Sequence, residues 1–179
     1  MRLLVGKTRA AVLAAATLTL ATTVGVTAAP AAVVANVAHV AAAKAKTAHR
    51  CTTAQLGVSF RGADAGAGQR FLTLVLTNQG ATCWTGGYPW LQFYGRFGHA
   101  IAANESHVPA PHSAIMVAPG GKVRSCLRWG AVSPPFVHPH VIGVTPPGAL
   151  ARLFVPWRWG AVFRGDISVT PLKSGTTCP

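Results

Sequence analysis

The chain has 179 residues, enough for one domain of ordinary size, and a formal net charge of +13. Its 13 prolines and 19 glycines favour short strands joined by turns and argue against a fold of long helices. From Cys51 onward ten basic residues face only three acidic ones, which disfavours paired-carboxylate catalysis and favours anionic partners.

Residues 1–29 have the pattern of a secretory signal peptide. Arg2 and Lys7 lie in a basic start, an uncharged run follows over Ala10–Val26, and the small residues Val26–Ala28 suit cleavage. An uncleaved membrane anchor is the alternative, and no later segment is apolar and long enough to span a bilayer. We therefore expect a secreted or cell-envelope-associated protein with no transmembrane span after signal cleavage.

Residues 30–50 consist almost entirely of Ala, Val and Lys and hold no large side chain to anchor a helix. This composition predicts a disordered linker, so the folded domain is expected to occupy residues 51–179.

From Cys51 onward the apolar residues alternate with small or polar ones, the pattern of half-buried strands. The regular spacing of strands and turns predicts an all-β antiparallel sandwich of about eight strands. The Gly/Ala-rich segment Arg61–Gln69 and the polar, Pro-containing segment Asn104–His112 are predicted to be loops. The eight main predicted strands are Leu56–Phe60, Phe71–Leu76, Trp90–Tyr94, Ala114–Ala118, Val123–Trp129, Val141–Thr145, Leu150–Val155 and Asp166–Leu172, with a further short one at His99–Ala102.

The four cysteines, Cys51, Cys83, Cys126 and Cys178, predict two disulfides in an exported chain, for which three pairings are possible. No two of them have the close spacing of a zinc-ligand pair. Strand parity places Cys126 on the polar face of its strand, where the C-terminal tail could reach it.

The histidines are candidate copper or zinc ligands. His138 and His140 lie two residues apart and point the same way in an extended chain, while His107 and His112 share one predicted loop. The alternative is that all four are surface residues in Pro-rich loops. No cofactor is otherwise indicated.

Catalysis is not favoured by the motifs present. Asp64, Glu105 and Asp166 are isolated in sequence, and no Gly-x-Ser-x-Gly nucleophile elbow occurs. We predict that the protein is not an enzyme. A hydrolase remains the competing hypothesis, and it requires one of these acids to meet a histidine in a pocket.

Trp157 and Trp159 are the candidate ligand contacts, together with Arg158 between them and Arg152 nearby. In a strand both indoles would share one face, where they could stack on a flat ligand such as a sugar while the arginines bind anions. The alternative is that the indoles fill the sandwich core. Export argues against nucleic acid as the partner, although the charge would permit it.

A short repeat links two parts of the chain. Arg128–Val132 recurs as Arg158–Val162, with five identical residues. The repeat predicts two equivalent strand ends, and chance repetition in an Ala/Gly/Val-rich chain is the alternative.

Several motifs together resemble secreted actinobacterial domains of unknown function of the DUF4232 type, over Cys51 to about Leu172. The strongest are Thr77-Asn78, Thr82-Cys83 and Gly87-Tyr88-Pro89. The others are Gly62–Gly68, Ala118–Gly121, Val144–Gly148 and Val169–Leu172.

The resemblance implies an exported immunoglobulin-like β-sandwich and carries no established activity. It favours pairing Cys51 with Cys83, and we expect the second bridge between Cys126 and Cys178. The second pair departs from the family pattern, in which cysteines often lie near the positions of Val137–Val141 and Phe163–Arg164.

The sequence thus predicts a non-catalytic, monomeric binding module for an anionic cell-envelope polymer or a protein partner. A histidine-based metal-binding module is the alternative.

Overall fold

The computed structural model describes residues 48–102, 104–132 and 134–179. These residues form an all-β structure, and α-helix is absent from them. The predicted signal peptide and nearly all of the predicted linker lie outside the described residues. The strands are β1 (Leu56–Gly66), β2 (Gln69–Asn78), β3 (Cys83–Thr85), β4 (Trp90–Tyr94), β5 (Ala100–Ile101), β6 (Asn104–His107), β7 (Ile115–Val117), β8 (Lys122–Gly130), β9 (Phe136–Val137), β10 (Val141–Thr145), β11 (Leu153–Pro156), β12 (Val162–Phe163), β13 (Asp166–Val169) and β14 (Lys173–Ser174).

Two larger sheets carry the fold. One has the order β1-β2-β8-β13-β6, with β14 also paired to β8, and the other has the order β11-β10-β4-β5. Their pairings are antiparallel except between β13 and β6. Two further, two-stranded sheets are formed by β3-β7 and by β9-β12. Of the fourteen strands among the described residues, eight have four residues or more; one of these, β6, falls in a predicted loop, whereas the predicted strands His99–Ala102 and Ala114–Ala118 are the short strands β5 and β7.

The two larger sheets share one hydrophobic core, as in a β-sandwich. Leu72, Leu74 and Leu76 enter it from β2, and Ile142 and Val144 enter it from β10. Because successive side chains of a strand point to opposite faces, alternate positions in each strand supply this core. Each fully buried aliphatic side chain contributes roughly 1.5–3 kcal/mol relative to its exposed state.

The predicted loop over Arg61–Gln69 is wrong for most of its length. Strand β1 runs on to Gly66, and Ala67 and Gly68 form the hairpin turn with φ values of 47° and 76°. Two-residue hairpin turns with positive φ at both positions match the twist of the flanking strands. The Gly/Ala composition signalled a loop, but pairing with β2 organises these residues as strand, with a bulge between Arg61 and Asp64.

The predicted loop over Asn104–His112 is wrong at its start, where Asn104–His107 forms β6. This strand pairs in parallel with β13, so that Ser106 lies opposite Ser168 and Glu105 lies opposite Ile167. Its four residues are all polar. A polar edge strand has no hydrophobic alternation, and therefore sequence periodicity could not detect it.

Both predicted disulfides are present. Cys51 is bonded to Cys83 with a Cα–Cα distance of 4.9 Å, and Cys126 is bonded to Cys178 with a distance of 5.8 Å. No free cysteine occurs among the described residues. Immediately before Cys51, Arg50 forms a bridge with Trp84, and its guanidinium lies 4.0 Å from the centre of that ring. The chain thus joins the fold slightly before the first bridge.

Candidate functional site

Trp157, the first predicted ligand contact, lies in the core. Its side chain is only 6% exposed and packs against Phe93 and Trp129, with ring centroids 5.2 and 5.1 Å away. Its Nε1–H donates to the carbonyl of Gly160 at 2.7 Å, which satisfies the polar atom of a buried ring. Its indole therefore fills the sandwich and offers no open face to a ligand.

Trp159 occupies a different environment, because residues 157–160 form a loop after β11 and not the strand considered above. Its half-buried ring packs on Phe60 at 4.7 Å and on Trp157 at 5.3 Å. Arg158 is exposed between the two tryptophans, and the exposed Arg152 donates a hydrogen bond to the Tyr94 hydroxyl. Ligand contact by Trp159, Arg158 and Arg152 stays a prediction.

The four candidate metal-binding histidines are divided between two segments. His107 stacks on Tyr88 with centroids 4.2 Å apart, and His112 contacts the same ring edge-on at 5.3 Å. His138 and His140 are exposed between β9 and β10. Within residues 48–102, 104–132 and 134–179, no three His, Cys, Asp or Glu residues are grouped so as to hold a metal ion.

Glu105 is a structural residue whose role the sequence did not reveal. Its side chain is 6% exposed, and its two oxygens accept hydrogen bonds from Leu91 N–H at 2.6 Å and from His107 Nε2 at 2.7 Å. Burial raises the pKa of this carboxyl above its ordinary value, although both hydrogen bonds and the charge of His107 act in the opposite direction. A charged residue in a polar strand gave no signal that it would turn inward.

The Glu105–His107 contact is the acid–histidine pair that the hydrolase hypothesis requires. Among the described residues, however, no serine or threonine hydroxyl is hydrogen-bonded to His107. Asp166 lies on the strand beside Glu105 but one register position away, so the two carboxylates point to opposite sheet faces. Glu105 thus lacks the facing carboxylate that glycoside hydrolysis uses.

Strand β8 presents a row of basic side chains to the outside. Val123, Leu127 and Trp129 are buried, whereas the alternate positions Lys122, Arg124 and Arg128 face outward with Cys126. The predicted parity of Cys126 is confirmed. Because strand side chains alternate, these three cations lie on one face of the larger sheet.

Two neighbouring strands add to this row. Lys173 of β14 lies opposite Arg124, and Arg61 of β1 lies opposite Thr73, which in turn lies opposite Cys126. Residues directly opposite each other in a sheet share its face. The basic face is therefore defined as Arg61, Lys122, Arg124, Arg128 and Lys173.

None of these five cations has a carboxylate partner. His107–Glu105 is the sole ion pair among the described residues. Asp64 and Asp166 lie on the basic face by register, but Asp64 accepts the backbone N–H of Ala65 and Asp166 accepts an amide hydrogen from Asn104. Five cations against two carboxylates leave this face clearly positive.

A groove of about 660 Å3 lies on the same side of the sheet, between the β1–β2 hairpin and the C-terminal segment. Arg61 and Phe71 line the hairpin side, and Thr176 and Thr177 line the other side. The Cys126–Cys178 disulfide ties the C-terminal segment to β8 and thereby holds this wall in place. The groove thus adds a concave surface and the hydroxyl groups of Thr176 and Thr177 to the positive charge of the basic face.

These features define a class: a disulfide-bonded all-β domain of sandwich type with one strongly basic sheet face. A family model described as "Domain of unknown function (DUF4232)" matches residues 51–173. The match covers more than half of the chain, and the protein belongs to this family. Comparison with curated proteins found no match, and comparison with solved structures found none. Helices long and apolar enough to cross a membrane do not occur in the part of the chain that the structure describes.

Proposed function

We propose that this protein is an exported, non-catalytic binding module that attaches to an anionic polymer of the cell envelope through its basic face. The observation that carries this proposal is the set of five cationic side chains on one sheet face, none of them neutralised by a carboxylate. An acidic protein surface is the alternative partner for the same face. The two disulfides support a site of action in an oxidising compartment.

The spacing of the cations favours a partner with repeated charges. Alternate residues of one strand are roughly 7 Å apart, and neighbouring strands are about 4.8 Å apart. Lys122 and Arg124, and likewise Arg124 and Lys173, are thus closer together than the screening length of about 8 Å at physiological ionic strength, whereas Arg61 and Arg128 lie farther along the same face. A linear polymer that carries a phosphate or carboxylate on each unit can contact several of them at once.

The experiment compares two charge-reversal variants of equal net charge. Arg128→Glu/Lys173→Glu alters the basic face, and Arg96→Glu/Arg158→Glu alters two exposed arginines that lie outside the larger sheet. Binding to inorganic polyphosphate and to poly-glutamate is measured by calorimetry at low salt and at about 0.5 M NaCl. We expect the first variant to lose binding, the second to retain most of it, and salt to weaken binding by the native protein.

Two results would refute the proposal. One is binding that is insensitive to salt, since charge attraction between exposed groups is screened. The other is loss of binding in Arg96→Glu/Arg158→Glu with retention in Arg128→Glu/Lys173→Glu, which would place the ligand at Arg96 or at the Trp159 loop and not on the basic face.

A further inference from the structure

A second concave site lies at the turn end of the β1–β2 hairpin, where it shares Asp64 and Phe71 with the groove beside the basic face. It is a pocket of about 520 Å3, within the size range of small-molecule sites. Its aromatic lining includes Trp129, Trp159 and Phe71, and Asp64 and Arg70 supply its charged residues. The remaining lining residues are Ala63, Ala65, Ala131, Gly160 and Ala161, whose small side chains leave the space open.

The two copies of the sequence repeat meet at this pocket. Trp129 and Ala131 come from the first copy, and Trp159 and Ala161 come from the second. The Trp129 Nε1–H donates to the carbonyl of Ala161 at 3.2 Å, which joins the two copies directly. The copies are not equivalent strand ends, because the first ends β8 and the second is a loop leading into β12. They are two walls of one pocket.

The aromatic part of the pocket is held in a fixed position. Trp159 packs edge-to-face on Phe60, and Trp157 packs behind both Trp129 and Trp159. Trp129 is 3% exposed, so it cannot turn away from this cluster. An indole held in this way provides an apolar surface without loss of side-chain entropy when a ligand arrives.

The two charged residues of the pocket, Asp64 and Arg70, can still form hydrogen bonds with a ligand. Arg70 lies opposite Trp129 in the sheet register and therefore on the same face as its indole. Asp64 uses one oxygen to accept the Ala65 N–H at 2.7 Å, and Arg70 and Asp64 form no ion pair with each other. One guanidinium and one carboxylate cancel in charge, so this pocket, unlike the basic face, does not favour a net anion.

We propose that this pocket binds a neutral pyranose unit of a polysaccharide. A pyranose ring has an apolar C–H face that suits the Trp159 indole and hydroxyl groups that both donate and accept hydrogen bonds. Its hydroxyls donate to the Asp64 carboxylate and accept from the Arg70 guanidinium. The small residues around Gly160 accommodate the ring, since no atom other than those of its chain neighbours lies within 4 Å of the position that a Cβ on Gly160 would take.

The test uses cellotetraose and N-acetylated chitotetraose as neutral probes, with the indole Nε1–H signals of the folded protein followed by nuclear magnetic resonance. Trp159→Phe identifies the Trp159 signal. We expect at least one oligosaccharide to shift this signal saturably, with no weakening at about 0.5 M NaCl, because charge attraction contributes little.

Two variants test the site itself. Arg70→Ala removes the donor, and Ala65→Trp fills the pocket from an exposed strand position opposite Arg70. Each is expected to weaken binding by about tenfold or more, as loss of one hydrogen bond to a charged group implies. Arg96→Ala, in the exposed turn between β4 and β5, is the control and should bind normally. An unchanged indole signal of the buried Trp157, which does not line the pocket and is identified by Trp157→Phe, verifies that each variant is folded.

The proposal is overturned if neither oligosaccharide shifts the Trp159 signal at about 10 mM, or if Ala65→Trp binds as well as the native protein. Tighter binding of diglycine, a zwitterion that also matches one cation and one anion, would overturn it as well. Failure here is separate from failure of the basic-face proposal, because the residues changed and the salt dependence expected are different.

Discussion

The Glu105 carboxylate accepts the backbone N–H of Leu91 at 2.6 Å and so joins a strand of the larger sheet to a strand of the smaller one. Strand β4 pairs with β5 only at Phe93 and Tyr94, which leaves the N–H of Leu91 without a neighbouring strand on that side. The side chain of Glu105 completes the hydrogen bonding there. One residue thereby connects the two layers at their edge.

Replacement of Glu105 by alanine should destabilise the fold by about 1–3 kcal/mol, because it leaves the nearly buried Leu91 N–H without an acceptor. Glu105→Gln keeps an oxygen acceptor, so its free energy of unfolding should be closer to that of the native protein. Chemical denaturation measures both free energies of unfolding. Asp64→Ala, at an exposed carboxylate, is the control for a general effect of removing an acid. Equal stability of Glu105→Ala and the native protein would contradict the role assigned to this hydrogen bond.

The raised pKa of Glu105 predicts the direction in which the stability of the fold changes with pH. The folded state holds the Glu105 proton to higher pH than the unfolded chain, whose glutamate pKa is about 4.3. Stability that depends on this proton is therefore lost as pH rises from the unfolded pKa through the folded one. Relative to Glu105→Gln, which does not titrate, the native protein should become less stable as the pH rises from about 4.3 through the folded-state pKa of Glu105. A native protein that gains stability over Glu105→Gln in this range would show that the hydrogen bonds outweigh burial.

Each disulfide should stabilise the domain by about 2–4 kcal/mol, since each restricts the unfolded chain. The Cys51–Cys83 bridge closes a separation of 32 residues and the Cys126–Cys178 bridge one of 52. Paired Cys→Ser variants of each bridge, compared by chemical denaturation, measure these contributions.

Thiol labelling followed by peptide mapping should modify none of the four cysteines until reductant is added. Labelling of Cys126 or Cys178 in the native, unreduced protein would disprove the second bridge.

Removing the second bridge should also affect the basic face. The C-terminal segment forms one wall of the 660 Å3 groove and is tied to β8 through Cys178. In Cys126→Ser/Cys178→Ser we therefore expect weaker polyphosphate binding, whereas Cys51→Ser/Cys83→Ser, at the other bridge, should bind normally once folded. Calorimetry with both folded variants measures this. Equal affinities would show that the groove wall makes no contact with the ligand.

The two tryptophans of the Trp157-Arg158-Trp159 segment should differ strongly on substitution. Trp157→Ala opens a cavity in the core and should cost about 3–5 kcal/mol in unfolding free energy. Trp159→Ala should cost clearly less, because that ring is only half-buried. Thermal and chemical denaturation of the two variants provide the comparison. A larger loss for Trp159→Ala would mean that the outer ring, and not the inner one, supports the core.

Much of the fold could be predicted where a strand has one buried face. In β8 the alternation of Val123, Leu127 and Trp129 with Lys122, Arg124 and Arg128 reveals both the strand and the side of Cys126, because the side-chain period of a strand is two residues. In β6 no such contrast exists. Glu105 turns inward only because Leu91 and His107 meet its carboxylate there, and these partners come from contacts that periodicity cannot show.

Taken alone, the sequence was sufficient for the all-β class, most of the longer strands, the presence of two disulfides and the excess of positive charge, while the pairing of the cysteines came from the family resemblance. These properties follow from residue types and from the two-residue period within single strands. The tertiary structure decided which cations share a face, which tryptophan of two near neighbours is buried, and that the repeated segments form one pocket. Those outcomes depend on which strands pair and how the loop after β11 folds back, and both are set by contacts between residues far apart in the chain.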